Sequence, residues 1–167
     1  AKSDLGDLPQ WRLEDLYPAM DSPQFAGDVA RCKKEAGEFQ KKYAGKLEGL
    51  CKDDPAALGK AIAAYEAIEE RMGRIMSYAG LRYYQLTTDA ERAKFLSDHQ
   101  EKITNFTTPL VFFTLELNRL EDDRLSAMFA ENADLARYKP VFDRIRAMKP
   151  YQLSDELEKF LHDLGVV

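Results

Sequence analysis

Apolar residues recur along most of this chain at steps of three and four, which is helical rather than strand periodicity. The first such stretch runs from about Pro23 to Lys46, with the stripe Phe25, Val29, Cys32, Phe39, Tyr43 and Leu47 and Ala36 filling the gap. Its start, Ser22-Pro23, pairs a capping side chain with a proline at the first helical position, where the missing N–H costs nothing. Gly45 and Gly49 are the candidate stops. The second stretch opens the same way on Asp54-Pro55 and runs to about Leu86, through Leu58, Ile62, Tyr65, Ile68, Met72, Ile75, Ala79 and Tyr83. A third starts at Asp89 and carries Leu96, Ile103, Phe106, Leu110, Phe113, Leu117 and Leu120. Pro109 falls inside it, removes a backbone donor and disfavours helix just before itself, so a kink or break is expected near Thr107–Pro109. Shorter helices are expected at Asp122–Ala130, Pro140–Met148 and Ser154–Leu164. No segment alternates with period two long enough for a strand, and no tandem repeat is visible. The pattern therefore predicts an all-α fold: an antiparallel bundle of three long helices, the third kinked near Pro109, followed by shorter helices. An extended N-terminal arm, residues 1–21, precedes a single helical domain, residues 22–167.

Two segments carry more apolar surface than one core-facing stripe needs. In Ile75–Leu86, Tyr78, Tyr84 and Leu81 point away from the main stripe; in Leu110–Leu120, Val111, Phe112 and Leu115 do the same. A helix apolar on every side is buried on every side. Either these segments form the centre of the bundle, or one side faces a further domain or subunit. Tyr78, Leu81, Tyr84, Phe112 and Leu115 are accordingly the candidate peptide- or domain-interface residues.

Composition narrows the function classes. The 167 residues include 24 Lys+Arg and 29 Asp+Glu, a formal net charge of −5, with 45 % apolar residues. Such a chain is globular, long enough for its own core, and too acidic for a nucleic-acid binder. The longest uncharged run, Ile103–Leu115, has 13 residues including four threonines, well short of the roughly 20 apolar residues of a membrane span. Residues 1–20 lack the basic start and apolar run of a secretory leader. Cys32 and Cys51 lie 19 apart with no C-x-x-C and no nearby histidine, which reads as two free thiols in a reducing, cytoplasmic setting.

Candidate chemistry is sparse. Neither histidine, His99 or His162, is followed by glutamate, so H-E-x-x-H is absent, and so is the E-x-x-H of di-iron bundles. Glu158 and His162, four apart on one helix, could position an imidazole or simply form a surface contact. The carboxylate runs Asp53–Asp54 and Glu121–Asp123 precede helices, where negative charge caps free N–H groups. No phosphate-binding glycine loop and no nucleophile-elbow serine occurs. The basic group Arg137, Lys139, Arg144, Arg146 and Lys149 fits either a carboxylate or phosphate ligand or a solvated helix face. The residues offer no catalytic site, no metal site and no cofactor site of their own.

The order of short motifs is more informative. Residues 8–18, LPQWRLEDLYP, place Trp11, Leu13, Asp15, Leu16 and Tyr17 in a W-x-L-x-D-L-Y pattern. Tyr43-Ala44-Gly45-Lys46-Leu47 follows, then Ile75-Met76-Ser77-Tyr78-Ala79-Gly80-Leu81 with Thr87-Thr88-Asp89. Phe112-Phe113-Thr114-Leu115-Glu116-Leu117-Asn118-Arg119-Leu120 is the most specific stretch, and Pro150, Leu153, Ser154 and Glu158 complete a P-x-x-L-S-x-x-x-E helix entry. In sequence and spacing these resemble the N-terminal region of the oligoendopeptidase F family of zinc metallopeptidases, which is thimet-oligopeptidase-like. Tyr151 stands where that pattern has histidine. The resemblance implies a helical, cleft-forming part of a longer zinc-dependent peptidase that hydrolyses short peptides. In that family the H-E-x-x-H zinc site lies far downstream of the matched region, so no metal ligand or catalytic residue carries over and this chain alone should be inactive. Zinc is implied only for the full-length parent. The implied partners are the missing C-terminal catalytic domain of the same polypeptide and an oligopeptide substrate, with no nucleic acid and no membrane; a dimer through exposed apolar faces is a further expectation. The alternative is a stand-alone helical interaction module, which the same amphipathic helices without a catalytic site would also suit.

Overall fold

The computed structural model describes residues 9–165. The first eight residues of the expected N-terminal arm, including Leu8 of the LPQWRLEDLYP segment, and Val166 and Val167 lie outside the described residues. The fold is all-α. In chain order the helices are α1 (Pro23–Tyr43), α2 (Leu47–Asp53), α3 (Pro55–Gln85), α4 (Ala90–Thr107), α5 (Val111–Arg119), α6 (Asp122–Glu131), α7 (Ala133–Ala136), α8 (Lys139–Ala147) and α9 (Asp155–Leu164), with 3-10 turns at Leu13–Asp15, Thr108–Leu110 and Lys149–Tyr151.

Helix starts follow the caps. Ser22 accepts from the Phe25 N–H, Asp54 from Ala57, Asp89 from Glu91 and Arg92, and Ser154 from Leu157, each side-chain oxygen satisfying a donor the helix leaves free. Pro109 sits in the 3-10 turn that joins α4 to α5, so the regular helix is interrupted at the proline. Gly45, at φ 74°, ends α1 in the left-handed conformation that a residue with a Cβ adopts only at a cost. Gly49 is not a stop. It lies inside α2, a helix the sequence pattern missed because seven residues leave too little stripe to read.

Packing places α3 at the centre. Phe25, near the start of α1, meets Tyr78 near the end of α3, while Phe39 meets Tyr65; the two helices run antiparallel. Tyr78 also meets Phe95, and the Arg92 guanidinium donates to the Arg82 carbonyl, so α4 is antiparallel to α3 as well. Two aromatic groups fill the core. One gathers Tyr17, Phe25, Tyr78, Phe95 and His99; the other gathers Phe39, Tyr43, Tyr65, Phe112 and Phe113. Arg71 on α3 ties the α1 face through Glu35 and Asp28. Burial raises the Glu35 carboxyl, but its bonds to Arg31 and Arg71 outweigh that and hold it below the ordinary range.

The C-terminal half joins the same core through Leu117, Leu125, Met128 and Leu135, and polar contacts fix its corners. Glu116 of α5 accepts from the Gly45 N–H at 2.6 Å and the Leu47 N–H at 3.3 Å, supplying acceptors to the α1–α2 corner and the first turn of α2. Arg146 of α8, its side chain only 12 % exposed, donates to the carbonyls of Leu117, Asn118 and Leu120 at the end of α5 and pairs with Asp122. A cation there satisfies carbonyls that the helix leaves free and complements its dipole.

Candidate functional site

Three features of the described residues could serve a function, and each arises from how the sequence sets neighbouring helices. The first is a polar pocket of about 520 Å³ where α3, α4, α5 and α9 converge, lined by Tyr65, Glu69, Thr107, Thr114, Glu158 and His162 among others. His162 Nε2 lies 2.9 Å from Thr107 Oγ1. That hydroxyl also lies 3.0 Å from the Thr104 carbonyl, which competes with the imidazole for its proton. A nucleophile needs that proton shared with a base. Glu158 accepts from the Leu153 N–H at 2.9 Å and so fixes the entry to α9. The Glu158–His162 spacing thus serves two separate anchoring bonds. Although one edge of Glu69 is open, burial of its carboxyl raises it, and the His162 charge opposes this.

The second feature is a groove of about 840 Å³ between α1 and α4, floored by Phe25, Val29 and Phe106 and edged by Lys33 and Lys102. His99 borders it. Its Nδ1 donates to the Phe95 carbonyl at 2.8 Å, and its ring sits against Phe25 and Phe95. Burial depresses its basicity, only partly offset by that backbone bond. The adjacent Asp98 faces away and pairs with Lys94.

The third is a run of exposed apolar side chains in the C-terminal half. Val141, Met148, Tyr151 and Leu153 lead into Leu157, Phe160, Leu161 and Leu164 on α9, all about half exposed or more. Scattered exposed apolar residues are ordinary; a helical stripe of them marks a contact surface.

The five residues singled out by the pattern fall into separate places. Tyr78 lies in the first aromatic group, 1 % exposed. Leu81 is half-buried against the core, and Tyr84 is 63 % exposed beside Tyr83. Phe112 is half-buried in the second aromatic group, and Leu115 is buried at the edge of the polar pocket. Tyr78 and Phe112 belong to groups that share no ring, so the structure does not bring the five together. The basic group is dispersed too. Arg146 is spent on α5, Arg137 on Glu66 and Tyr138, and Lys139 on Asp143. Both thiols are buried and free. Burial pushes Cys32 up to about 11, against the pull of Arg71, and raises Cys51, so neither is a ready nucleophile. The exposed α9 stripe escaped the sequence reading, although its spacing at 157, 160, 161 and 164 was visible.

Comparison with known proteins supplies what the geometry lacks. A family model described as Oligopeptidase F matches residues 116–167. Oligopeptidase PepF of Bacillus subtilis (strain 168) is 26 % identical over 157 residues, 94 % of this chain and 22 % of that protein. The chain resembles the N-terminal region of the oligopeptidase F family. Group B oligopeptidase PepB of Streptococcus agalactiae serotype III (strain NEM316) is 28 % identical over 94 residues, 56 % of this chain and 16 % of that protein. The chain thus spans about a fifth of the length of these oligopeptidases. No solved structure matches it. The oligopeptidase F match covers α9 and the α5 stretch from Glu116, so Glu116 and the exposed stripe lie within it, while the Glu116 partners Gly45 and Leu47 do not. No helix among the described residues is long and apolar enough to cross a membrane.

Proposed function

We propose that this chain is the N-terminal helical domain of a zinc-dependent oligopeptidase that hydrolyses short peptides in the cytoplasm. In this reading residues 1–21 are an arm, residues 22–167 are one domain, and the catalytic domain follows in the same polypeptide. The observation that carries the proposal is one of coverage: likeness to PepF extends over 94 % of this chain yet reaches only 22 % of PepF. The domain's part is to shape a cleft that admits oligopeptides and excludes folded proteins. Tyr78, Leu81, Tyr84, Phe112 and Leu115 are the candidates for contact with the peptide or with the catalytic domain, Tyr84 being the most accessible of them.

Zinc does not fit the described residues of this chain. Among the described residues no three His, Cys, Asp or Glu side chains gather as a metal site requires. No step of the chemistry is therefore routed through these residues, and the metal belongs to the proposed catalytic domain.

The test is made on the native polypeptide. An antibody raised against this chain should detect a band several times heavier than 19.1 kDa in a fresh lysate. The purified species should cleave a quenched fluorescent oligopeptide and lose that activity to a chelator, while the 167-residue chain alone does not cleave it. A sole band at the chain's own mass would sink the reading in favour of an interaction module.

A further inference from the structure

Helix α9 is seated the opposite way round from an ordinary surface helix. Its polar residues hold it to the bundle: Asp155 pairs with Arg119, His162 bonds Thr107, and Asp163 accepts from the Thr108 hydroxyl at 2.7 Å. Its apolar residues are turned largely outward, Leu161 also edging the polar pocket beside α5. Leu157, Phe160, Leu161 and Leu164 are 51, 57, 51 and 48 % exposed, and the helix buries none of its residues. A surface helix normally turns its apolar stripe to the core. At about 100° per residue the four side chains form one continuous stripe opposite the anchoring residues.

We propose that this stripe is the seat of a segment of the same polypeptide lying beyond residue 167, docked as an amphipathic helix across α9. This rests on the proposal that the native protein continues into a catalytic domain. Two arguments favour a tethered occupant over a second copy. Four half-exposed side chains present roughly 400 Å² of apolar surface, about half of what each partner contributes to a stable association between separate molecules. A segment joined by a short linker needs far less, because its effective concentration is in the millimolar range. The length also suits: more than three-quarters of PepF lies outside the region matched by this chain, which covers 22 % of it.

The inference is tested by placing the photoreactive residue p-benzoylphenylalanine at Phe160 of the native polypeptide, a change that keeps an aromatic ring at the site. On irradiation the expected product is an internal cross-link to residues beyond 167, with the mass of the chain unchanged. A species of doubled mass, a cross-link confined to residues 1–167, or no cross-link would each overturn the proposal. A second variant, Phe160→Asp, is expected to speed amide exchange across α9 at least tenfold in the native polypeptide; unchanged exchange would count against the docked segment. Oligopeptide cleavage is measured on the same unsubstituted protein. Its absence would remove the peptidase reading and leave the cross-link result standing, whereas cleavage without the cross-link would remove only the docking.

Discussion

Helices α3 and α9 are both amphipathic, yet they use their apolar faces in opposite ways. α3 buries Leu58, Ala61, Ile62, Ile68, Met72, Ile75, Tyr78 and Ala79 against its neighbours, while α9 fully buries no residue and is held by hydrogen bonds and an ion pair. Burial of apolar area is the larger stabilising effect, and exposed ion pairs contribute a few tenths of a kcal/mol each. The difference teaches that an apolar stripe fixes only that a helix will be covered on that side, not by what. α3 is covered from within the described residues; α9 awaits a cover.

The comparison is broken most sharply by truncating one aromatic side chain in each region. Phe113, 1 % exposed among Phe39, Tyr65 and Phe112, should cost about 4 kcal/mol on Phe113→Ala, read as a large drop in the urea midpoint. Phe160→Ala in the same 167-residue chain should change stability by less than about 0.5 kcal/mol. Equal losses would mean that α9 is part of the core after all. Next in size is Arg146→Ala, which strips the end of α5 of its donor to three carbonyls and should cost about 2 kcal/mol. A change within experimental error would show that this clamp is not what secures α8 to the end of α5. The caps sharpen the contrast further. Asp54→Ala at the start of α3 should lower global stability by about 1 kcal/mol, while Ser154→Ala should mainly speed amide exchange within α9 and leave the global midpoint nearly in place.

The smallest effect concerns His99, which borders the α1–α4 groove. Burial holds its folded-state pKa below the ordinary value, with Lys102 adding to this and Asp98 opposing it. The unfolded imidazole takes up a proton near pH 6.5 and the folded one only at lower pH. Stability is therefore full above that value and falls as the pH drops through it. Urea midpoints measured from about pH 7.5 down to 5 should decline, and His99→Gln should flatten that decline. An identical slope in the variant would place the pH dependence elsewhere.

Much of the fold was legible because its punctuation is local. Ser22-Pro23, Asp54-Pro55 and Asp89 start their helices where capping chemistry says they should, and the 3-10 turn falls at Pro109. α2 and α7 were not legible, since seven and four residues are too short for a periodic stripe. The site candidates were harder for a different reason. That Tyr78 and Phe112 lie on segments apolar all round is a property of the helix alone; that Tyr78 meets Tyr17 and Phe95 while Phe112 meets Phe39 depends on which helices pass nearby. The outward seating of α9 is likewise decided by distant partners, Thr107, Thr108 and Arg119, which no spacing within residues 155–164 announces.

The clamp that Glu116 makes on Gly45 and Leu47 has a bearing on the order in which the molecule assembles. The seven-residue α2 is too short to persist alone in water, and the acceptor for the N–H of Leu47 arrives from a carboxylate 69 residues further along the chain. Its first turn therefore consolidates only when α5 has docked, while α1, with its own cap at Ser22, can gather earlier. Until then the backbone around Gly45 stays open, so during refolding a protease pulse should cut there first and lose access as the α5 region becomes protected.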